Sequence, residues 1–207
     1  MARSKSSNQW LQEHFTDEYV KKSQQQGYRA RSAYKLIEII DKYDLLSGVD
    51  SVVDLGAAPG GWCQVVQQKS TDKLTIIGLD LLAIEPISGV HFIQGDFTDD
   101  TVYQTLLDTL NGQKINLVLS DMAPNLSGVS ATDQPKSMYL AELALDFCRQ
   151  SLEPGGSHVV KLFQGEGFDE HLKLMRACFQ RVVIVKPDSS RARSREVFAI
   201  GMGFKNL

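Results

Sequence analysis

Four side chains far apart in the chain could manage a proton together: Lys35, Asp121, Lys161 and Glu196. An amine set among carboxylates can take or steer the proton of a weakly acidic hydroxyl, which is what group transfer to an alcohol requires. Lys161 is the most informative of the four. It lies in SHVVKLF, residues 157–163, among valines, a leucine and a phenylalanine, and a charge in a strand covered on both faces is rare unless it is paired. Lys161 is therefore expected near the carboxyl end of its strand, facing a partner. It is the candidate base or hydroxyl-orienting residue, with its protonation state left open.

A donor site is written in SVVDLGAAPGGW, residues 51–62. Val52 and Val53 suit a buried strand, Asp54 closes it, and Gly56, Gly60 and Gly61 free the backbone where Cβ atoms would meet a ligand. The dinucleotide fingerprint needs a second glycine so that a pyrophosphate can approach the backbone. Here that position is Ala58, followed by Pro59, which also removes an amide donor. The turn fits a nucleoside ligand without a pyrophosphate, S-adenosylmethionine being the obvious one; the alternative is a tight βα turn of any α/β protein. Methyl transfer from a sulfonium removes positive charge as it proceeds, so such an enzyme needs a competent nucleophile more than charge stabilisation at the donor.

The elements that must position these residues alternate. Buried strands are predicted over residues 74–80, 90–94 and 115–120, ending at or beside Asp80, Asp96 and Asp121, with a helix over 99–110 between them. That order specifies an α/β fold with a mainly parallel sheet. A helix is expected from Tyr28 to about Leu46 with Arg31 and Lys35 on its polar face, a long loop over 123–135, and helices from Lys136 to Ser151 and from Asp169 to Phe179. No crossover helix fits between Lys186 and Arg195, so the strand over 196–201 must run antiparallel to the one over 182–185 or beside it as a hairpin. Ligands of open α/β sheets bind outside the carboxyl ends of the strands. Asp54, Asp80, Asp96, Asp121 and Lys161 fall at that edge, and a reversed last strand starts Glu196 there. Lys35 precedes the first strand by roughly 20 Å of helix, about the height of a strand, and reaches the same edge. Asp80 is then placed for ribose hydroxyls and Asp96 for an adenine amino group. Trp62 and Phe97 could cover apolar ligand surface, Trp62 equally a residue packed on the sheet, and Asp54 and Asp121 could hold the methionine end.

The 207 residues carry a net charge of −3, which alone argues against a nucleic-acid partner, but the distribution is uneven. Residues 1–37 hold seven Lys or Arg against three acids, leaving the remainder at −7. The polar stretch to Gly27 reads as a flexible basic arm, residues 1–27, ahead of one domain over 28–207. Lys21, Lys22, Arg29, Arg31, Arg191, Arg193 and Arg195 are candidate contacts to the phosphates of a polyanion. The three cysteines, Cys63, Cys148 and Cys178, lie far apart without a C-x-x-C pair, so reduced structural thiols and no metal site are expected. Without an apolar run of membrane length or a signal-peptide core, the expectation is a cytoplasmic, monomeric protein with no membrane partner.

RSAYKL at 31–36, DLGAAPGGW at 54–62, SDMAPN at 120–125, VVKLFQG at 159–165 and KPDSSRARSREVF at 186–198 together resemble the FtsJ-like ribosomal RNA methyltransferases, over nearly the whole chain. The resemblance implies a Rossmann-like class I fold with seven strands and an antiparallel last strand, S-adenosylmethionine as cofactor, and methylation of the ribose 2′-hydroxyl of a uridine in large-subunit rRNA on the assembled subunit. It implies a catalytic set of Lys35, Asp121, Lys161 and Glu196, and cofactor contacts at Gly60, Trp62, Asp80, Asp96 and Asp121. SDMAPN differs from the Pro-Pro-aromatic signature of base-amino methylation, which favours ribose. One departure is Phe198, where relatives often carry tyrosine. The alternatives are a 2′-O-methyltransferase acting on tRNA or mRNA, a nicotinamide oxidoreductase, and a non-catalytic RNA-binding protein of the same fold.

Overall fold

The computed structural model describes residues 17–70, 74–124 and 129–206. The sheet has seven strands: β1 (Ser51–Leu55), β2 (Thr75–Asp80), β3 (Val90–Gln94), β4 (Ile115–Ser120), β5 (Leu152–Phe163), β6 (Phe179–Val185) and β7 (Glu196–Phe204). Their order across the sheet is β3-β2-β1-β4-β5-β7-β6. All pairings from β3 to β5 are parallel, whereas β7 is antiparallel to both β5 and β6. The hairpin expected at the carboxyl end is present, and its second strand is inserted between β5 and β6 rather than added outside.

Helices cover both faces. On one, α2 (Ala33–Tyr43) and α3 (Gly61–Lys69) pack on Val52, Leu117, Val159, Phe198 and Ile200; on the other, α4 (Asp100–Leu110), α5 (Ser130–Ser151) and α6 (Phe168–Cys178) pack on Val53, Leu55, Val118 and Val160. The apolar stripe of α2 explains its seat: Leu36, Ile39 and Ile40 recur at helical spacing, and all three are buried. Truncating Leu36 to alanine would cost about 2–5 kcal/mol. Alternation along each strand decides which residues meet which helices. Lys161 and Glu196 share a face with Val159 and Phe198, since Lys161 pairs with Phe198 and Phe163 with Glu196.

Three element boundaries differ from the sequence reading. Residues 28–32 form a bend and a turn instead of the first turns of α2, with the Arg29 amide donating to Gln64 Oε1 at 2.8 Å. The helix ends at Tyr43, where Asp44 adopts a left-handed conformation with φ of 51°. α5 begins at Ser130, before Pro135, with Gln134 Nε2 tied to the carbonyls of Phe163 and Glu166 at 3.0 Å each. Residues 125–128 of the expected loop lie outside the described residues.

The expected arm also divides. Residues 1–16 lie outside the described residues, while α1 (Glu18–Gln25) is a capped helix, the Asp17 carboxylate accepting from the Tyr19 amide at 3.0 Å. Asp17 also receives Arg31 and, at 3.4 Å, Arg191. Arg191 ties α1 to the segment before β7 directly, and Arg31, in the turn before α2, bridges the two by also donating to Ser189 O.

Candidate active site

Short-range backbone geometry builds one half of the site. As β1 ends, the amides of Gly56 and Ala57 donate to Leu79 O at 2.8 and 3.1 Å, carrying the turn across the end of β2. Gly56 has φ of +80°, and a Cβ there would lie 2.8 Å from the Met122 nitrogen. Neighbouring backbone thus already requires glycine here, and Gly56 lines the cleft as well. Asp80 then takes one amide on each oxygen, Ala58 N at 2.9 Å and Leu82 N at 2.8 Å. Asp96 accepts from Thr98 N and Oγ1 at 2.9 and 2.8 Å. Asp96 is oriented by its own turn, Asp80 by its own turn together with the one that follows β1, and each keeps lone pairs for a ligand.

These residues border a cleft of about 520 Å³ lined also by Phe97, Asp121, Met122, Lys136 and Tyr139, within the range of small-molecule sites. Leu81 and Leu82 stand at it, 56% and 64% exposed. Sequence reasoning missed Lys136 and Tyr139. Their three-residue spacing marks one helical face, but the cleft they line is formed by elements distant in sequence. The donor set suits an adenosyl ligand: carboxylates at Asp80 and Asp96 for hydroxyls and an amino group, apolar carbon at Leu81, Leu82 and Phe97, and negative charge toward a sulfonium.

The side chains of two cofactor candidates point into the core, which for Trp62 is the sheet-packed alternative. Trp62 is buried, its indole N–H donating to Ser32 O at 2.9 Å and its ring centroid 5.8 Å from that of Phe198. Its side chain belongs to the core of the α2–α3 face, so only its backbone is left near the glycine turn. Asp54 is fully buried, because strand alternation points it at α3, where the Cys63 thiol donates to it at 3.2 Å. Burial pushes its carboxyl up to about 7, aided by Asp121 and Asp80 and opposed by the Cys63 hydrogen bond. Gly60 caps α3 with φ of 103°, facing Arg29 and Ile87.

The other half joins residues distant in sequence. Lys161 Nζ donates to Asp121 O at 2.7 Å and lies 2.9 Å from Asp121 Oδ1, an ion pair without hydrogen-bond direction. Lys35 forms a short ion pair with Glu196 Oε1, each side chain 13% exposed, and its Nζ lies 5.9 Å from the Phe198 ring centroid. Burial would raise the Glu196 carboxyl, but the charge and hydrogen bond of Lys35, a hydrogen bond from Ser190 and the charge of Lys161 together hold it below its usual value. The two lysines and two acids therefore stand as two pairs at the carboxyl edge. Of the four, only Asp121 also lines the cleft.

The basic candidates separate into two groups. Arg29 Nη1 and Nη2 donate to the carbonyls of Pro59, Glu85 and Pro86 at 3.1, 2.5 and 3.0 Å, and Arg31 and Arg191 are engaged with Asp17. These three are committed to the protein itself. Lys21, Lys22, Arg193 and Arg195 are exposed, Lys22 Nζ standing 4.7 Å from the Tyr34 ring centroid.

A family model described as FtsJ-like methyltransferase matches residues 28–204. Ribosomal RNA large subunit methyltransferase E of Cellvibrio japonicus is 54% identical over 204 residues, covering 99% of this chain and 97% of its own. The protein of the same description from Marinobacter nauticus is 55% identical over 205 residues, 99% of each. A crystal structure assigned as a ribosomal RNA methyltransferase of Plasmodium falciparum superposes with a TM-score of 0.76 at 34% identity, covering 86% of this chain and 98% of that one.

Proposed function

This chain belongs to the FtsJ-like methyltransferase family, and from that premise we propose that it methylates the ribose 2′-hydroxyl of a uridine in large-subunit ribosomal RNA, on the assembled subunit, with S-adenosylmethionine as donor. The observation that carries the reading is the position of Asp121, which lines the adenosyl-sized cleft and is at the same time the ion-pair partner of Lys161. A donor site and a proton-handling pair meet at one residue.

When bound, the donor supplies an electrophilic methyl group on a sulfonium. The protein's part is to hold and to activate. Asp80 would hold the ribose hydroxyls, Asp96 the adenine amino group and Asp121 the cationic methionine end. Lys161 takes or steers the proton of the acceptor hydroxyl, and Asp121 fixes where its Nζ stands. Lys35 and Glu196 bound the acceptor side, Glu196 being ionised at neutral pH and able to accept a hydrogen bond from the ribose. Lys21, Lys22, Arg193 and Arg195, exposed near α1 and the segment before β7, contact RNA phosphates.

The test is transfer of labelled methyl to free ribosomal RNA, to isolated subunits and to whole ribosomes, with the modified nucleotide mapped. Label on a large-subunit uridine ribose, strongest with the subunit, is the expected result; label on a base, or on tRNA alone, would contradict it.

A further inference from the structure

Helix α2 presents two polar residues three positions apart, Lys35 and Glu38, which are neighbours on one helical face. Lys35 pairs with Glu196 Oε1. Glu38 instead grips the segment before β7: its Oε2 accepts from Asp188 N at 2.7 Å and its Oε1 from Ser189 N at 3.0 Å. The following residue, Ser190, is 8% exposed, and its Oγ donates to Glu196 Oε1 at 3.0 Å. The same segment is closed by Arg31 on Ser189 O and by Lys186 on the carbonyls of Ala192 and Ser194 at 3.1 and 2.8 Å. Both donors to the Glu196 carboxylate thus end on Oε1. Among the described residues no hydrogen bond ends on Oε2.

We propose that Ser190, held in place by the Glu38 clamp, is a positioning residue that commits Oε1 of Glu196 to the protein and leaves Oε2 for the acceptor ribose. The inference rests on the methyl-transfer reading of the Lys35–Glu196 pair. The terminal torsion of a glutamate is broad, and a lysine is a point charge on a flexible stem that follows either oxygen. Two donors arriving on one oxygen from different elements remove that freedom. The groups facing Glu196 are Lys35 from α2, Lys161 from β5 and Ser190 from the preceding segment, with Arg195 adjacent in the chain; only Ser190 among them fixes orientation without altering the net charge.

The test uses the full chain with the large ribosomal subunit as acceptor. Ser190→Ala should lower kcat about 10-fold, the scale of a small misplacement of a reacting group, and leave the Kd for S-adenosylmethionine within about twofold of wild type. The acid limb of its pH–kcat profile should move to higher pH, because Glu196 loses one hydrogen bond to its ionised form. Ser190→Thr, which keeps the hydroxyl, should recover most of the rate, and Glu38→Gln should slow kcat in the same sense with cofactor affinity unchanged. Wild-type kcat with an unmoved acid limb in Ser190→Ala, alongside a slow Glu196→Gln, would overturn the positioning role. Wild-type turnover by Glu196→Gln would overturn the reading of the pair on which it rests.

Discussion

The two halves of the site are made in different ways. On the donor side, Asp80 and Asp96 are oriented by amides within a few residues of a strand end, or in the adjoining turn. On the acceptor side the ion pairs and the clamp span the chain, Lys35 to Glu196, Lys161 to Asp121 and Glu38 to the amides of 188 and 189, and only the Ser190–Glu196 hydrogen bond is local. The carboxyls differ accordingly. Asp54, buried under the donor turn without a cation, is pushed up to about 7, whereas Glu196, buried among cations, is held below its usual value. Local turns can offer carboxylates to a small ligand; presenting a charged nucleophile-activating set requires partners brought from elsewhere in the fold.

The division between the halves can be broken most forcefully at Lys161. Lys161→Ala should reduce methyl transfer by about 10²–10⁴-fold while S-adenosylmethionine binding, followed by calorimetry, stays near wild type; equal loss of both would erase the distinction. Asp80→Ala should do the reverse, weakening cofactor binding by about 10–100-fold with kcat at saturating cofactor much less affected. The carboxyl contrast gives a third measurement. Asp54 stays protonated when folded and ionises when unfolded between its ordinary value of 3.8 and about 7, so its contribution to stability falls as pH rises through that window and is constant above it. Asp54→Asn should therefore raise the melting temperature at pH 8 more than at pH 5, the full effect being on the order of 4 kcal/mol. For Glu196→Gln the sign is opposite, the stabilisation by Glu196 being present above its ordinary value of 4.5 and lost as pH falls. The smallest effect is expected outside both halves: Lys21→Ala with Lys22→Ala should reduce the slope of log affinity for RNA against log salt by about 1 for each phosphate that is no longer neutralised, and an unchanged slope would remove both lysines from the RNA surface.

Legibility in the sequence follows the same division. Asp80, Asp96, Asp121 and Lys161 could be placed because strand ends and an out-of-character lysine are local signals. Which way Trp62 and Asp54 turn depends on phase: one lies on a helical face and the other on a strand face that both turn toward the α2–α3 core, which for Trp62 is the sheet-packed alternative. Arg29, Arg31 and Arg191 read as free cations because their acceptors, three carbonyls and Asp17, are remote in the chain. The reversal of β7 was inferred from a connection too short for a helix, but its insertion between β5 and β6 depends on pairing that no local pattern records.

That insertion has a consequence during biosynthesis. Because β7 is an interior strand and follows β6 in the chain, a nascent polypeptide lacking residues 196–204 leaves both neighbours, β5 and β6, with an open edge toward the gap. Glu196, the partner of Lys35, is missing from any such intermediate as well, so a partly translated molecule combines open strand edges with an unpaired Lys35. The sheet is therefore closed by the last strand to leave the ribosome.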